Sequence, residues 1–157
     1  MRLVILLMFF SFSTSAFEQC VDKNLKNLES CSLNNYKEED KKLNYLYKSL
    51  INVYPELKEN IKKTQKAWIK ARDDICKYTL IDGKEYQVYQ NACLHQQTYE
   101  RIRELKAIFL KQTSLENNEN LSDNMLWETY LNSHCEFMLN KYNDIECKNR
   151  NKFLHSQ

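Results

Sequence analysis

Leu43, Leu46, Tyr47, Leu50, Ile51 and Tyr54 fall three or four residues apart, the spacing that gathers apolar side chains on one face of an α-helix. The stripe resumes beyond Pro55 with Leu57, Ile61, Thr64, Trp68, Arg72 and Ile75. Pro55 therefore either opens a new helix at its first position or kinks a long one. Upstream, residues 18–29 have the pattern of a short helix ending near Ser30-Cys31-Ser32. Asn35, with Glu38 three residues later, is placed to cap the next helix and to put acids in its first turn. Asp82-Gly83 is the clearest turn. In the long helix after it, Tyr86, Tyr89, Cys93, Gln97, Ile102, Leu105 and Phe109 are the expected inward positions. Residues 113–121 are polar and aperiodic, the best linker candidate. Ser122-Asp123 then cap a helix carrying Met125, Leu126, Leu131, Cys135 and Met138, which Asn143-Asp144 breaks before a short terminal helix from about Ile145. One Gly and one Pro in the whole chain argue against sheets and tight hairpins. The pattern predicts an all-α fold, an antiparallel helical bundle of about five or six helices.

Residues 1–16 change the reading of the rest. Arg2, an apolar run from Leu3 to Phe12 and small residues up to Ala16 form the pattern of a secretory signal peptide. Thr14 and Ala16 suit the positions before a cleavage, so the mature chain is expected to start at Phe17. The apolar run is too short to span a bilayer as an ordinary helix. Cys20 follows Phe17-Glu18-Gln19 and not small residues, which argues against lipidation. The expectation is an exported, soluble protein, periplasmic or secreted, with no stable membrane insertion after cleavage. Cleavage removes Arg2 and no acid, leaving 22 basic against 21 acidic residues and a net charge of about +1. That balance gives no drive toward nucleic acid or anionic lipid. The domain expectation is one helical domain over 17–112, the linker 113–121, and a C-terminal helical extension over 122–157. Trp68 precedes Cys76 by eight residues and Trp127 precedes Cys135 by eight, a faint echo of a degenerate second repeat.

All six cysteines follow the expected cleavage site, and an even count in an exported chain reads as three disulfides. Many connectivities are possible. The spacing leans toward local pairs: Cys20 with Cys31, Cys76 with Cys93, and Cys135 with Cys147. Each loop would contribute roughly 3 kcal/mol in the chain-entropy model. Two cysteines eleven or twelve apart on one continuous helix would sit on the order of 16 Å apart, so local pairing demands a turn inside each loop.

Chemistry finds little support. His95, His134 and His155 lie in separate segments without an obvious nucleophile, and there is no nucleophile elbow or phosphate-binding glycine loop. Asp73 and Asp74 are adjacent and point to different helix faces, unlike the facing carboxylates of a glycosidase. Cys93-x-His95 and His134-Cys135 do not make the spacing of a metal site, and the haem attachment signal is absent. Saposin-like domains also combine helices with six cysteines, but their end-to-end cysteine clustering does not match. No cofactor or metal is expected, and the protein is read as a non-enzyme.

Cys20 and Cys31, Leu43-Asn44 with Tyr47, then Gln65, Trp68, Arg72, Asp73 and Cys76, then Cys93-Leu94, Thr98 and Arg101 together resemble a family of short exported bacterial domains named for the lysozyme inhibitor LprI. The similarity covers about residues 18–109. It departs from the family pattern in having little Gly before the second cysteine of the central pair. The resemblance implies an exported helical domain, in at least one branch able to inhibit lysozyme. A protein partner, in the first instance a lysozyme, is therefore expected.

Gln65, Trp68 and Arg72 share one helix face, where Trp68 and Arg72 have the spacing of a cation–π pair worth on the order of 1 kcal/mol. A scaffold role explains them most simply, and Asp73 with Lys77 suits an ordinary surface pair. The segment favoured for binding is IDGKEY, Ile81 to Tyr86, with Asp82, Gly83, Lys84 and Tyr86 as partner-binding residues. With Cys76 joined to Cys93, this turn becomes the tip of a braced hairpin, which loses little entropy on binding. Lys84 would approach the acidic catalytic groups of a lysozyme cleft while Tyr86 packs on its wall. The plain alternative is a connecting loop with a solvated lysine. Common lysozymes are strongly basic, so steering would require a local acidic patch, for which Glu38, Glu39 and Asp40 are the obvious cluster. The alternative function is an envelope or secreted protein–protein interaction module without lysozyme inhibition. Asn120-Leu121-Ser122 is a glycosylation sequon, relevant only in a eukaryotic secretory pathway.

Overall fold

A computed structural model describes residues 18–116 and 123–151, with side chains described outside 111–130. The expected signal peptide, the sequon at Asn120 and residues 117–121 of the expected linker lie outside the described residues. The described residues are mostly helical, with no strand among them. Its helices are α1 (Leu25–Val53), α2 (Lys58–Ile75), α3 (Tyr86–Glu116), α4 (Asp123–Tyr142) and α5 (Cys147–Asn151). The fold class is all-α, and α3 extends four residues into the segment read as a linker.

The first helix differs from its sequence reading. Residues 25–53 form one continuous helix, capped by Asn24, whose side chain accepts a hydrogen bond from the Lys26 amide at 2.9 Å. Asn35 lies inside this helix. Its Nδ2 donates to the Glu18 carbonyl at 2.7 Å and its Oδ1 accepts from the Glu18 amide at 3.2 Å. The cap-like spacing of Asn35 and Glu38 thus serves to pin the extended segment before α1 against the helix. Glu38, Glu39 and Asp40 are mid-helix residues, and Glu39 is buried and paired to Lys42 at 2.9 Å. Pro55 opens a single 3-10 turn, Pro55–Leu57, that leads directly into α2.

Consecutive helices run antiparallel. Residues 64 and 76 of the second helix face 101 and 93 of the third, and Gln97 and Glu100 face Met138 and His134. The most extensive packing joins α1 to α3, which are not consecutive and run parallel: Ser32 meets Asn91 at one end and Tyr54 meets Phe109 at the other. The main core lies among α1, α2 and α3, with Leu43, Leu50, Tyr54, Leu57, Ile61, Trp68, Ile102, Leu105 and Ile108 buried together. A smaller cluster of Cys135, Met138 and Cys147 holds α4 to α5, and Leu131 packs against both clusters. Tyr89, expected inward, is about half exposed, because the beginning of α3 extends past the main core.

The three disulfides join Cys20 to Cys31, Cys76 to Cys93, and Cys135 to Cys147, with Cα–Cα separations of 5.7, 5.5 and 5.4 Å. Each loop contains the required turn. The first turns at the α1 N-terminus, the second at Gly83, and the third at Asn143, whose φ of 54° reverses the chain after α4. Arg150 closes that last turn with two bonds to Asp144. Among the described residues, no helix is long and apolar enough to cross a membrane.

Candidate functional site

The α2–α3 connection is short and internally bonded. Thr79 and Asp82 form a capping box across the 3-10 turn Leu80–Asp82, with the Thr79 amide donating to the Asp82 carboxylate at 2.7 Å. The Asp82 amide returns a bond to the Thr79 carbonyl at 2.9 Å. Gly83 takes φ 110°, a conformation that side-chain-bearing residues rarely adopt, and turns the chain into α3. The disulfide between Cys76 and Cys93 ties the base. What this brace presents is apolar: Leu80 is 74% exposed and Ile81 is 97% exposed. Asp82, Gly83 and Lys84 are exposed beside them. Tyr86, at the start of α3, is half-buried and its hydroxyl accepts from Gln87 at 3.0 Å.

At the foot of this hairpin lies an open groove of about 750 Å³. Tyr78, Tyr89, Tyr99 and Tyr142 give it aromatic walls, and His95 and Gln96 supply polar groups. Burial pushes the Tyr142 hydroxyl up to about 12, with Glu100 adding to the shift. Burial also lowers the His95 imidazole, which favours its neutral form. Lys141 lies over the Phe137 and Tyr142 rings at 5.4 and 5.2 Å. The groove was not anticipated, because its tyrosines come from the hairpin, α3 and α4 and share no sequence period.

The other sequence-selected residues separate into scaffold and surface. Leu43 and Trp68 are core, and Tyr47 packs against it. Asn44 bonds the carbonyl and carboxylate of Asp40 on the α1 surface. Arg72 sits 4.9 Å over Trp68, as the spacing predicts. Asp73, expected to pair with Lys77, instead accepts from Arg72 at 2.7 Å, since Lys77 lies beyond the end of the helix. Gln65 and Arg101 meet at the centre. Arg101 is 1% exposed and donates to Gln65 Oε1 at 3.0 Å, to Thr64 Oγ1 at 2.8 Å, to Asn151 Oδ1 at 3.2 Å and to Glu104. One guanidinium thereby joins α2, α3 and α5. Thr64, Glu104 and Asn151 went unrecognised as its partners, since two lie 37 and 50 residues away.

Among the described residues, no group of three or more His, Cys, Asp and Glu side chains is arranged to hold a metal ion. The family model described as lysozyme inhibitor LprI matches residues 19–105. No curated protein and no solved structure matches. The matched span contains the first two disulfides, the braced tip and the Gln65–Arg101 contact, and it covers more than half of the sequence: the chain belongs to the lysozyme inhibitor LprI family.

Proposed function

We propose that the protein is exported and inhibits a lysozyme by binding it non-covalently, with the α2–α3 tip entering the enzyme's cleft. The family supports the partner class, and three disulfides suit an oxidising compartment. The observation that carries the reading is the tip itself. An isoleucine 97% exposed, on a turn closed by a capping box and a disulfide, is ordered before it meets a partner. Its burial in a complex would gain apolar contact at little entropic cost. Ile81 is then the anchor and Lys84 the cation facing the catalytic carboxylates. Inhibition requires no turnover by this chain.

The test is lysis of a bacterial suspension by lysozyme with and without the oxidised mature protein. A dose-dependent fall in lysis, reduced at least about tenfold in potency by Ile81→Asp or Lys84→Glu, is the expected result. Full potency in both variants would exclude the tip. No effect of the folded protein on several lysozyme types would exclude inhibition altogether. The aromatic groove favours a second reading, an exported module for another protein partner, with α4 forming one wall of its surface.

A further inference from the structure

Whole-chain charge is close to balanced, but α2 is not. Lys58, Lys62, Lys66 and Lys70 follow one another at intervals of four, and Lys63 lies between them. At about 100° per residue these five fall within roughly 140° of arc, opposite the face that buries Ile61, Thr64 and Trp68. Lys58, Lys63, Lys66 and Lys70 are exposed, and the Lys62 side chain is 39% exposed. The ridge runs about 18 Å along the helix. From 58 to 70 five lysines meet one acid, Glu59, a net of four positive charges. The remaining acids of the helix, Asp73 and Asp74, sit at its last turn, and Arg72 holds Asp73. Helix α1 provides the contrast: it also carries five lysines, but four acids are interspersed with them.

We propose that the outer face of α2 is an electrostatic docking surface for an anionic phospholipid bilayer. Charge complementarity selects an anionic partner, and the composition of the ridge selects among anions. Lysine is a compact, hydrated point charge on a flexible stem, suited to a diffuse anionic plane and poorly suited to bidentate reading of individual groups. No aromatic side chain stands among the lysines to stack on nucleic-acid bases. The one large apolar residue on this face, Ile69, is 40% exposed and sits within the lysine arc, placed to enter the headgroup layer. Adsorption of this kind is peripheral and reversible, and needs no spanning helix. It would hold an inhibitor beside the membrane while a basic enzyme is repelled from this face and left to approach another.

The experiment is co-sedimentation of the oxidised mature protein with phosphatidylcholine vesicles, with or without phosphatidylglycerol. Binding is expected only to the anionic vesicles, and salt should reverse it. Each lysine near such a surface strengthens binding about fivefold, so Lys62→Gln/Lys66→Gln/Lys70→Gln should weaken it about a hundredfold. The control Lys26→Gln/Lys37→Gln/Lys48→Gln removes the same charge from α1 and should change it far less. Circular dichroism checks that both triple variants keep their helices. Equal losses in the two variants would reduce the effect to net charge and overturn the proposal. Equal binding to uncharged vesicles, or no binding to anionic ones at low salt, would also overturn it. Binding to a soluble polyanion but not to vesicles would reject the bilayer. Lysozyme inhibition by the α2 variant in vesicle-free solution is expected to be unchanged, so failure here is distinct from failure of the inhibitory reading.

Discussion

Arg101 is the residue whose loss should cost most. Arg101→Ala leaves the Glu104 carboxylate buried without its cation and strips partners from Gln65, Thr64 and Asn151. A destabilisation of about 3–5 kcal/mol is expected in urea unfolding. Arg101→Met with Glu104→Leu removes both charges and should recover much of that loss. If the double variant is no more stable than Arg101→Ala, the ion pair is not the source of the cost. His95 supplies a pH-dependent term. Burial lowers its folded value from 6.5, so the unfolded imidazole takes up a proton at a higher pH than the folded one. Its contribution is present above about pH 6.5 and is lost as pH falls through the lowered folded value. His95→Gln should flatten the decline in unfolding free energy as pH falls below about 6.5; an unchanged slope would assign that decline to other groups. Family resemblance singled out Gln65 and Arg101, but their meeting was not legible. Periodicity reports which way a side chain points along its own helix, not what a helix 36 residues away brings to it.

At the scale of the element, the α2–α3 hairpin combines a local signal with a long-range one. The turn at Asp82-Gly83 was legible from residue type. The exposure of Leu80 and Ile81 was not, since two apolar residues before a turn ordinarily fold inward, and only the capping box of Thr79 and Asp82 shows which way the turn faces. In α1 a capping pattern misled for a related reason. Asn35 and Glu38 satisfy the spacing of a helix start, but the helix runs unbroken through both and Asn35 bonds Glu18 instead. The brace itself is testable. Cys76→Ser/Cys93→Ser opens a loop of 17 residues and should cost about 3 kcal/mol of stability. Under conditions where the variant remains folded, potency against lysozyme should fall as well, because the tip must then be ordered on binding. Stability lost with potency intact would make the disulfide purely structural.

Across the whole molecule, the decisive contacts are those between the family-matched span and α4–α5. Asn151 accepts from Arg101, Met138 packs on Gln97, and His134 lies 3.6 Å from Glu100. Burial raises the Glu100 carboxyl, but the His134 hydrogen bond and the Arg103 charge outweigh it and leave the group below its usual value. Buried polar groups of α3 thus have partners supplied by the C-terminal part of the chain. A second unit joined by a linker would unfold on its own; these contacts predict that it does not. Trp68 lies in α2 and Trp127 in α4, so Trp127→Phe and Trp68→Phe leave one reporter in each part. Thermal unfolding followed by the two variants' fluorescence should give transitions that coincide once each variant's stability is referred to circular dichroism. Truncation after Gln112 should lower the midpoint by about 10 °C or more, because it exposes Arg101 and removes Asn151 and His134 together. Two separated transitions, with a truncated chain as stable as the whole, would instead make α4 and α5 an independent appendage. The matched span could then be tested for lysozyme inhibition by itself.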